Sequence, residues 1–518
     1  MKRLSIVTIV FLVFILGSVS VYATNYYVSN SGNDTNAGTT PESAWRTIEK
    51  INHRTLLPGD SVLFECGGVW SGCLWVKGSG TKLAPIKIDS YGSGSKPCIN
   101  GSGNNAAVYL YNQEYITVSG LEITNTGTET WKYGVYVSAN DCGELNGIKL
   151  KNLTVHDVTG MYSGQYTRED TNEALDNHWN GGIVVMARGN ATATRFKGLS
   201  ITGCEVYDVS RTGILCYSNY NTAFDKKVNG MSQNLNVIDN TVHDIAGDGI
   251  LIAGDYGGVV NNNIAYDTNM MSYNGISSAN VGIWGLHCTG TTFSENESYL
   301  CHTTNDGFGF DIDGDNDNVT FEYNYSHDND GGFILLVNHN THNAVVRYNI
   351  SQNDGHQSIA VASPVTNTAL LDMTASVYNN TIYSKVSQRH RLINVSQSSV
   401  VPKRLEIYNN IFYIDTSSYV YNNNVSNTDK VIMSNNLYYG NNYVSALSRY
   451  DNTALCIDPM LKAPGSGGIG LSTLSGYELL EKSPCINAGR VIEDNGGYDF
   501  WGNVVSSVSM PNVGAYED

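Results

Sequence analysis

The sequence predicts an all-β fold in which short parallel strands stack as a β-helix, or β-solenoid. The chain has 518 residues, far above the ~250–300 at which a single globular core stops growing, so repeats or several domains must extend it. An Asn followed by a short apolar strand recurs along the chain, and a second strand follows a Gly in the same stretches. Repeats of ~20–30 residues with short β runs and Gly or Asn turns are typical of β-solenoids.

The recurring Asn marks one corner of each predicted coil. Several neighbouring members stand 23 to 28 residues apart. Identical Asn side chains that stack at one corner can hydrogen-bond to each other along the axis, so we expect these residues to form a ladder. The members are Asn240, Asn263, Asn296, Asn324, Asn349, Asn380, Asn410 and Asn436.

The Gly-led strands predict one wall of a groove. Aligned at the Gly, alternate side chains point inward, beginning one residue after the Gly, and the others point outward. The outward set then includes Arg188 and Asp255 as substrate-binding candidates, and Trp284 as a ring that stacks on a sugar. For Trp284, packing against the core is the open alternative. The aligned residues are Gly182, Gly213, Gly249, Gly282, Gly307 and Gly332.

The two ends of the chain differ from this repeat. Residues 1–23 predict a signal peptide, because Lys2 and Arg3 precede an apolar run that ends near a small-residue cleavage site. This run is short for a membrane span, so we expect a secreted, extracellular or periplasmic protein. Residues 24–104 predict an N-terminal cap with the first coils, including a short amphipathic helix over Ser43–Ile51. We expect the β-helix over 105–450 and an irregular segment over 451–518.

Composition excludes several partners. The net charge is −18, with 48 acidic against 30 basic residues, so no basic face is available for nucleic acid or an anionic membrane. We expect a monomer. Ten cysteines permit disulfides in an oxidising compartment, with Cys66–Cys73 and Cys456–Cys485 as candidate pairs.

The stretch from Thr304 to Gly332 concentrates the carboxylates. Phe308, Phe310 and Ile312 alternate with Gly309, Asp311 and Asp313, which predicts a strand with the apolar side chains inward. The carboxylates of Asp311 and Asp313 then leave one face about 6.6 Å apart. Such a pair binds a cation, shares a proton or does acid–base work.

The same carboxylates also fit the spacing of a calcium loop. Five of them match positions 1, 3, 5, 7 and 12 of an EF-hand-type loop, but the flanks predict strands, so the stretch is no EF-hand. A calcium site and a polar turn remain the two interpretations. The proposed ligands are Asp311, Asp313, Asp315, Asp317 and Glu322.

Both termini resemble a known superfamily. The opening YYVSNSGNDTNAGTTPESAWRTI and the C-terminal segments SPCINAGRV, DFWGN and VGAYED are similar to those of secreted right-handed parallel β-helix proteins of the pectin-lyase-like superfamily. The resemblance covers nearly the whole mature chain and implies a right-handed β-helix and a polysaccharide substrate. It does not select an activity, because the superfamily holds lyases, hydrolases, epimerases and non-catalytic proteins.

One order of motifs resembles polygalacturonase-type glycoside hydrolases. Asn305-Asp306-Gly307, Asp328-Asn329-Asp330, Gly355-His356 and Arg391-Leu392-Ile393 follow each other as the motifs of those enzymes do. Gln357 and Asn394 depart from the pattern, which puts the equivalence in doubt. The resemblance implies catalytic roles for Asp306, Asp328, Asp330 and His356.

The Asp-rich coil also resembles calcium-dependent pectate lyases. Those enzymes use a Lys or Arg to abstract a proton, and this chain has no Lys between Lys227 and Lys385. Arg188, Arg211 and Arg347 are the remaining bases, so β-elimination on a uronate stays an alternative. A non-catalytic glycan-binding protein is the third interpretation.

The histidines fall into two groups. His156, His243 and His327 recur beside an Asp at one corner, which favours structural stacking. His287, His339, His342 and His356 lack that explanation, and we assign His339 to substrate binding. The sequence thus favours an exported enzyme that cleaves glycosidic bonds, with hydrolysis by paired carboxylates slightly ahead of elimination.

Overall fold

The computed structural model describes most of the chain, and within that part all strands of the four sheets pair in parallel. The described residues are 23–128, 131–160, 178, 181–189, 191–219, 231–270, 279–303, 306–363, 370–385, 387, 389–396, 401–415, 419–423, 425 and 430–517. The predicted signal peptide, apart from Ala23, and most of residues 162–180 and 220–234 lie outside them. The described residues include no helix long and apolar enough to cross a membrane.

Each coil contributes one strand to each of three long sheets, so neighbours in a sheet are far apart in sequence. Sheet A runs through Asn25–Val28, Ser61–Glu65, Ile86–Tyr91, Ile116–Ser119, Lys149–Lys151, Ser200–Thr202, Asn236–Ile238, Val259–Asn261, Thr292–Ser294, Thr320–Glu322, Ala344–Arg347, Thr374–Tyr378, Arg404–Tyr408 and Val431–Ser434. Sheet B runs through Val69–Ser71, Cys98–Asn100, Glu122–Asn125, Thr154–Val158, Glu205–Val209, Thr241–Ile245, Ile264–Thr268, Glu297–Cys301, Tyr325–His327, Ile350–Gln352, Thr381–Ser384, Ile411–Ile414 and Leu437–Gly440.

Sheet C is formed by the Gly-led strands and contains Asp311. It runs through Leu74–Val76, Ala106–Tyr111, Tyr133–Asn140, Gly181–Arg188, Thr212–Asn219, Ile250–Ala253, Ile283–Leu286, Phe308–Ile312, Gly332–Val337, Gln357–Ala362, His390–Val395 and Val420–Asn423. A short sheet D joins Glu144–Asn146, Arg195–Lys197, Ser232–Gln233 and Asp255–Tyr256.

The helices of the described part are short. The α-helices are Ile48–Asn52 and Asn442–Ser445, and the 3-10 helices are Pro41–Ser43, Ala446–Tyr450 and Leu471–Tyr477. The predicted helix over Ser43–Ile51 therefore begins later than expected. Thr47 caps Ile48–Asn52 by accepting a hydrogen bond from the Lys50 amide, which fixes the helix start, and Trp45 forms a bridge with Val28 instead.

The predicted Asn ladder is confirmed. Asn240 donates from Nδ2 to Oδ1 of Asn263 at 2.9 Å, and the same contact repeats from coil to coil until Asn436 donates to Asp451. Every rung measures 2.9–3.0 Å. Each Asn is buried, so the ladder satisfies polar groups that would otherwise destabilise the corner.

The predicted disulfides are wrong. All ten cysteines are free thiols, including both members of Cys66–Cys73 and Cys456–Cys485. Cys485 is buried whereas Cys456 is exposed. Burial raises the pKa of the Cys204 thiol to about 11, so this side chain is a small apolar core residue rather than a reactive thiol.

Candidate active site

One column of outward-facing residues runs in strict register along sheet C, and we call it the outer column. Its first members are aromatic, its middle members are aliphatic, and it reaches a carboxylate at Asp311. The main core lies on the opposite face, where Phe310 and Ile312 are buried. The column comprises Trp75, Tyr109, Tyr136, Val184, Leu215, Leu251, Trp284, Asp311, Leu335, Ala360 and Asn394.

The predicted orientation of this strand is correct in part. Asp311 faces away from the main core, but it is buried, with only 4% of its surface exposed. Phe308 was expected inside, yet it packs in a second apolar cluster with Trp284 and Leu335 on the outer face. The alignment of the next strand was also wrong, because Phe333 rather than Gly332 stands in register with Gly309.

Four carboxylates influence one another around Asp311, and we call Asp248, Asp306, Asp311 and Asp313 the acidic cluster. Burial, followed by the charges of Asp313, Asp306 and Asp248, raises the pKa of Asp311 well above its usual value. Asp311 Oδ1 has no hydrogen-bond partner among the described residues. Asp311 therefore keeps its proton to a higher pH than an exposed aspartate does.

Asp306 and Asp313 titrate closer to neutrality. Asp306 precedes the strand Phe308–Ile312 and Asp313 follows it, and both are half-buried. Burial and then the charges of Asp313 and Asp248 raise the pKa of Asp306 to about 7. Burial raises the pKa of Asp313 to about 6, while the Gly314 amide, which donates to Asp313 Oδ1 at 2.6 Å, and His339 oppose the rise.

A buried ion network supports the cluster from the neighbouring coils. Asp248 is fully buried and accepts hydrogen bonds from His178 Nδ1 at 2.6 Å and from Trp284 Nε1 at 3.0 Å. Arg211 lies 3.4 Å from the same carboxylate. Burial raises the pKa of Asp248, but His178, Arg211 and the Val281 amide outweigh it and hold the pKa below its usual value. Asp248 thus stays ionised and orients Trp284 next to Asp311.

This arrangement suits acid–base chemistry. Carboxyl groups whose surroundings give them different pKa values supply a proton donor and an ionised partner at the same pH. Asp306 keeps its proton to a higher pH than Asp313 does. In this respect Asp306 has the character of a general acid and Asp313 that of a base or nucleophile.

The three other catalytic candidates, Asp328, Asp330 and His356, have contacts of their own. Asp328 contacts His327 at 2.9 Å, and Asp330 accepts a hydrogen bond from the Thr303 amide at 3.1 Å. His302, chiefly through a hydrogen bond, lowers the pKa of Asp330. Burial, together with Arg391, lowers the pKa of His356. None of the described contacts joins these side chains to Asp311 or Asp313.

The substrate-binding candidates are dispersed. Asp255 belongs to sheet D, not to the wall of sheet C, and its buried carboxylate accepts from the Gly258 amide at 2.7 Å and from Thr291 Oγ1 at 2.9 Å. The prediction that it points outward is therefore wrong. Arg188 lies in sheet C, four strands before Asp311. His339 lies next to Gly314 and within electrostatic range of Asp313.

The five proposed calcium ligands are also distributed over different elements. Glu322 belongs to sheet A and forms an ion pair with Arg347 at 2.7 Å. Asp315 pairs with His287 at 2.9 Å, and Asp317 accepts a hydrogen bond from Asn318. In the described part of the chain, no group of three or more His, Cys, Asp or Glu side chains is placed to hold a metal ion.

The recurrent histidines form a stack on sheet B. His156, Tyr207 and His243 stack at 4.8 and 5.1 Å, and the series continues through Tyr266. Tyr299 then stacks on His327 at 4.6 Å. These side chains have the structural role that the sequence favoured.

Three residues of the site, Asp248, Arg211 and His178, were not assigned from the sequence. Asp248 lies in a Gly-Asp-Gly turn that any β-helix corner could use, while Arg211 was noted only as a candidate base. The local sequence offered no signal for their contact, because they lie 33 to 70 residues apart. Only the stacking of coils brings them together.

The fold is that of the right-handed parallel β-helix proteins of the pectin-lyase-like superfamily. The chain matches the family described as right handed beta helix region over residues 195–382. It is 28% identical to the lacto-N-biosidase of Bifidobacterium longum subsp. longum, over 95% of this chain and 36% of that protein. The chain thus spans little more than a third of that relative's length.

Solved structures agree on the fold. The crystal structure of the GH136 lacto-N-biosidase from Eubacterium ramulus superposes with a TM-score of 0.62 at 26% identity, covering 80% of this chain and 67% of that chain. The complex of XylC with xylose reaches a TM-score of 0.51 at 12% identity, over 95% of this chain and 98% of that chain. This second likeness concerns the fold alone.

Proposed function

We propose that the protein is a glycoside hydrolase whose catalytic carboxyls are Asp306 and Asp313. The observation that carries this proposal is the acidic cluster, where burial raises the pKa of two half-buried carboxyls to about 7 and about 6, next to Asp311, whose pKa is raised as well. The similarity to two lacto-N-biosidases supports the reaction class. Carboxyl pairs of this kind are the usual machinery of glycosidic bond hydrolysis.

In this proposal Asp306 donates its proton to the glycosidic oxygen as the bond to the anomeric carbon breaks. Asp313, ionised above a pH of about 6, acts on the opposite side, either by attacking the anomeric carbon or by removing a proton from the attacking water. Asp311, whose pKa is raised by burial, offers a hydrogen-bond donor to the sugar when it is protonated. Proton NMR of the first-formed anomer decides between the two roles of Asp313.

The substrate in this proposal is a neutral glycan, and a lacto-N-bioside is the first candidate. The names of the two relatives suggest that sugar unit. A net charge of −18 disfavours a polyanionic chain such as a polyuronate. Hydrolysis is also preferred over β-elimination because Arg211, a base near the cluster, is already engaged with Asp248.

A substrate panel tests the proposal. Purified protein is incubated with a chromogenic lacto-N-bioside, other neutral glycans and uronate polymers. We expect new reducing ends from a neutral glycan and none after Asp313→Asn. Ultraviolet absorbance from an unsaturated uronate would instead select the lyase, and glycan retention without any cleavage would select a binding protein.

Export and calcium binding remain predictions from the sequence. Export is tested by whether the full chain, expressed in a bacterium, appears outside the cytoplasm without residues 1–23. Calcium binding by Asp311, Asp313, Asp315, Asp317 and Glu322 is tested by thermal melting with and without a chelator. An unchanged melting temperature would show that the carboxylates need no metal.

A further inference from the structure

A cleft of about 610 Å³ opens on sheet C near the start of the β-helix. Sites for small ligands typically have ~300–1,000 Å³. Aromatic rings form much of its lining, and amide and cationic groups complete it. The residues used below are Tyr109, Trp131, Tyr133, Tyr136, Asn105 and Arg188.

The rings of this cleft hold one another in place. Tyr109 stacks on Tyr136 with centroids 5.5 Å apart and planes 12° apart, and Tyr133 stacks on Tyr136 at 4.3 Å and 14°. Stacked side chains lose little further freedom when a ligand binds, so the wall is preorganised. Burial, together with Tyr136, Tyr111 and Cys73, raises the pKa of Tyr109 to about 12, so its hydroxyl stays neutral and can both donate and accept hydrogen bonds.

The cleft is separate from the acidic cluster. Tyr136 and Asp311 belong to the same outer column, five strand spacings apart, which is about 24 Å. Val184, Leu215, Leu251 and Trp284 occupy the column between them and are buried. A ligand in the cleft therefore does not reach the acidic cluster along the surface of the sheet.

We propose that this cleft is a second carbohydrate-binding site, which takes a neutral glycan independently of catalysis. A pyranose ring has an apolar C–H face and a rim of hydroxyl groups, and the cleft offers aromatic rings together with tyrosine, amide and guanidinium groups. Asn105 is exposed at the cleft, where it is available to a sugar hydroxyl. The net charge of −18 opposes a long anionic chain, and the aromatic lining favours the apolar face of a sugar ring, so the proposal takes a neutral glycan as the occupant.

The test uses the full chain with Asp313→Asn, so that glycans stay intact. Binding to neutral glycans, including galactose- and xylose-based chains, is measured by calorimetry and by retention on immobilised glycan. We expect Tyr109→Ala to weaken binding at least about tenfold, and Asn105→Trp, which crowds the cleft from its exposed side, to do the same. Tyr256→Ala is the matched control, because Tyr256 is an exposed tyrosine of sheet D, and it should leave binding unchanged.

Several outcomes would overturn the proposal. They are calorimetric affinity and stoichiometry for neutral glycans that stay unchanged in both cleft variants, binding of anionic glycans only, and no binding to any neutral glycan. Melting curves show whether Tyr109→Ala or Asn105→Trp fails to fold. If one of them does, the binding of the other variant tests the proposal. The result does not depend on the proposed hydrolase activity, since a chain that cleaves nothing can still be tested for retention.

Discussion

The aromatic and the acidic ends of the outer column share one backbone register but differ in their access to solvent. At the aromatic end, Trp75 is 41% exposed and Tyr109 borders an open cleft. At the acidic end, Trp284 and Asp311 are 5% and 4% exposed. The same strand geometry therefore supports two kinds of surface.

The difference in burial has a chemical consequence. Aromatic rings lose nothing by partial exposure, and their faces remain available to a ligand. Carboxylates in a dehydrated setting resist ionisation, so their pKa values rise and spread apart. The acidic end thereby gains proton-transfer chemistry that a fully solvated row of aspartates would not have.

The largest expected effect is the loss of activity at the acidic end. Asp306→Asn and Asp313→Asn should each lower kcat/KM about 10³-fold, because each removes one proton-transfer or nucleophilic group. Steady-state kinetics on the substrate found in the panel measure this. Asp328→Asn is the matched control, since Asp328 contacts His327 instead of the cluster. An equal loss of kcat/KM in all three variants would contradict the assignment of Asp306 and Asp313 as the catalytic carboxyls.

A smaller loss should follow when the support of the cluster is changed. Trp284→Phe removes the Nε1–H that donates to Asp248 at 3.0 Å, and an unsatisfied buried carboxylate oxygen costs ~1–3 kcal/mol. We expect kcat to fall about tenfold with a shifted pH profile. Trp75→Phe, the same substitution at the other end of the column, should leave kcat and the pH profile unchanged. If the pH profile of Trp284→Phe is normal, the hydrogen bond from Trp284 does not influence the acidic cluster, and Trp284 only packs against its neighbours.

The pH dependence should be narrow and bell-shaped. Activity requires Asp313 to be ionised, which holds above a pH of about 6, and Asp306 to be protonated, which holds below a pH of about 7. The maximum of kcat/KM therefore lies between these values, and the two limbs report the pair as a coupled system. A plateau that extends well above pH 8 would contradict the role of Asp306 as the acid.

The smallest effects concern stability, and they should have opposite signs at two aspartates. The folded-state pKa of Asp311 is raised above 3.8, so its contribution to stability is present below that pH and is lost as pH rises. Asp311→Asn should therefore raise the melting temperature at pH 7 by about 2 °C or more, with no gain near pH 4. Differential scanning calorimetry measures both values.

Asp328→Asn should instead lower the melting temperature at pH 7. Burial opposes protonation of His327, but Asp328 and Glu297 raise the pKa of His327 to about 9. That stabilisation is present below pH 6.5 and is lost as pH rises through about 9. A loss of stability in Asp328→Asn that persists unchanged at pH 10 would show that the ion pair is not its cause.

The sequence by itself determined the repeat. The Asn ladder and the inward position of Phe310 and Ile312 followed from local periodicity, because each coil must bury one face and satisfy one corner in the same way. It also identified Asp306, Asp311 and Asp313 as a group, since they lie within eight residues of one another. These features depend only on residues that are close in the chain.

Only the tertiary structure decided which coils meet and how they are aligned. Asp255 and Glu322 were assigned to the site by spacing, but turn lengths place them in sheets D and A. A shift of one residue in the alignment exchanges the two faces of a strand. Because Gly332 was aligned one residue too early, the strand Gly332–Val337 was predicted with its two faces reversed. The contacts of Asp248 with His178 and Arg211 cross different coils, and no local pattern encodes them because their proximity results from stacking alone.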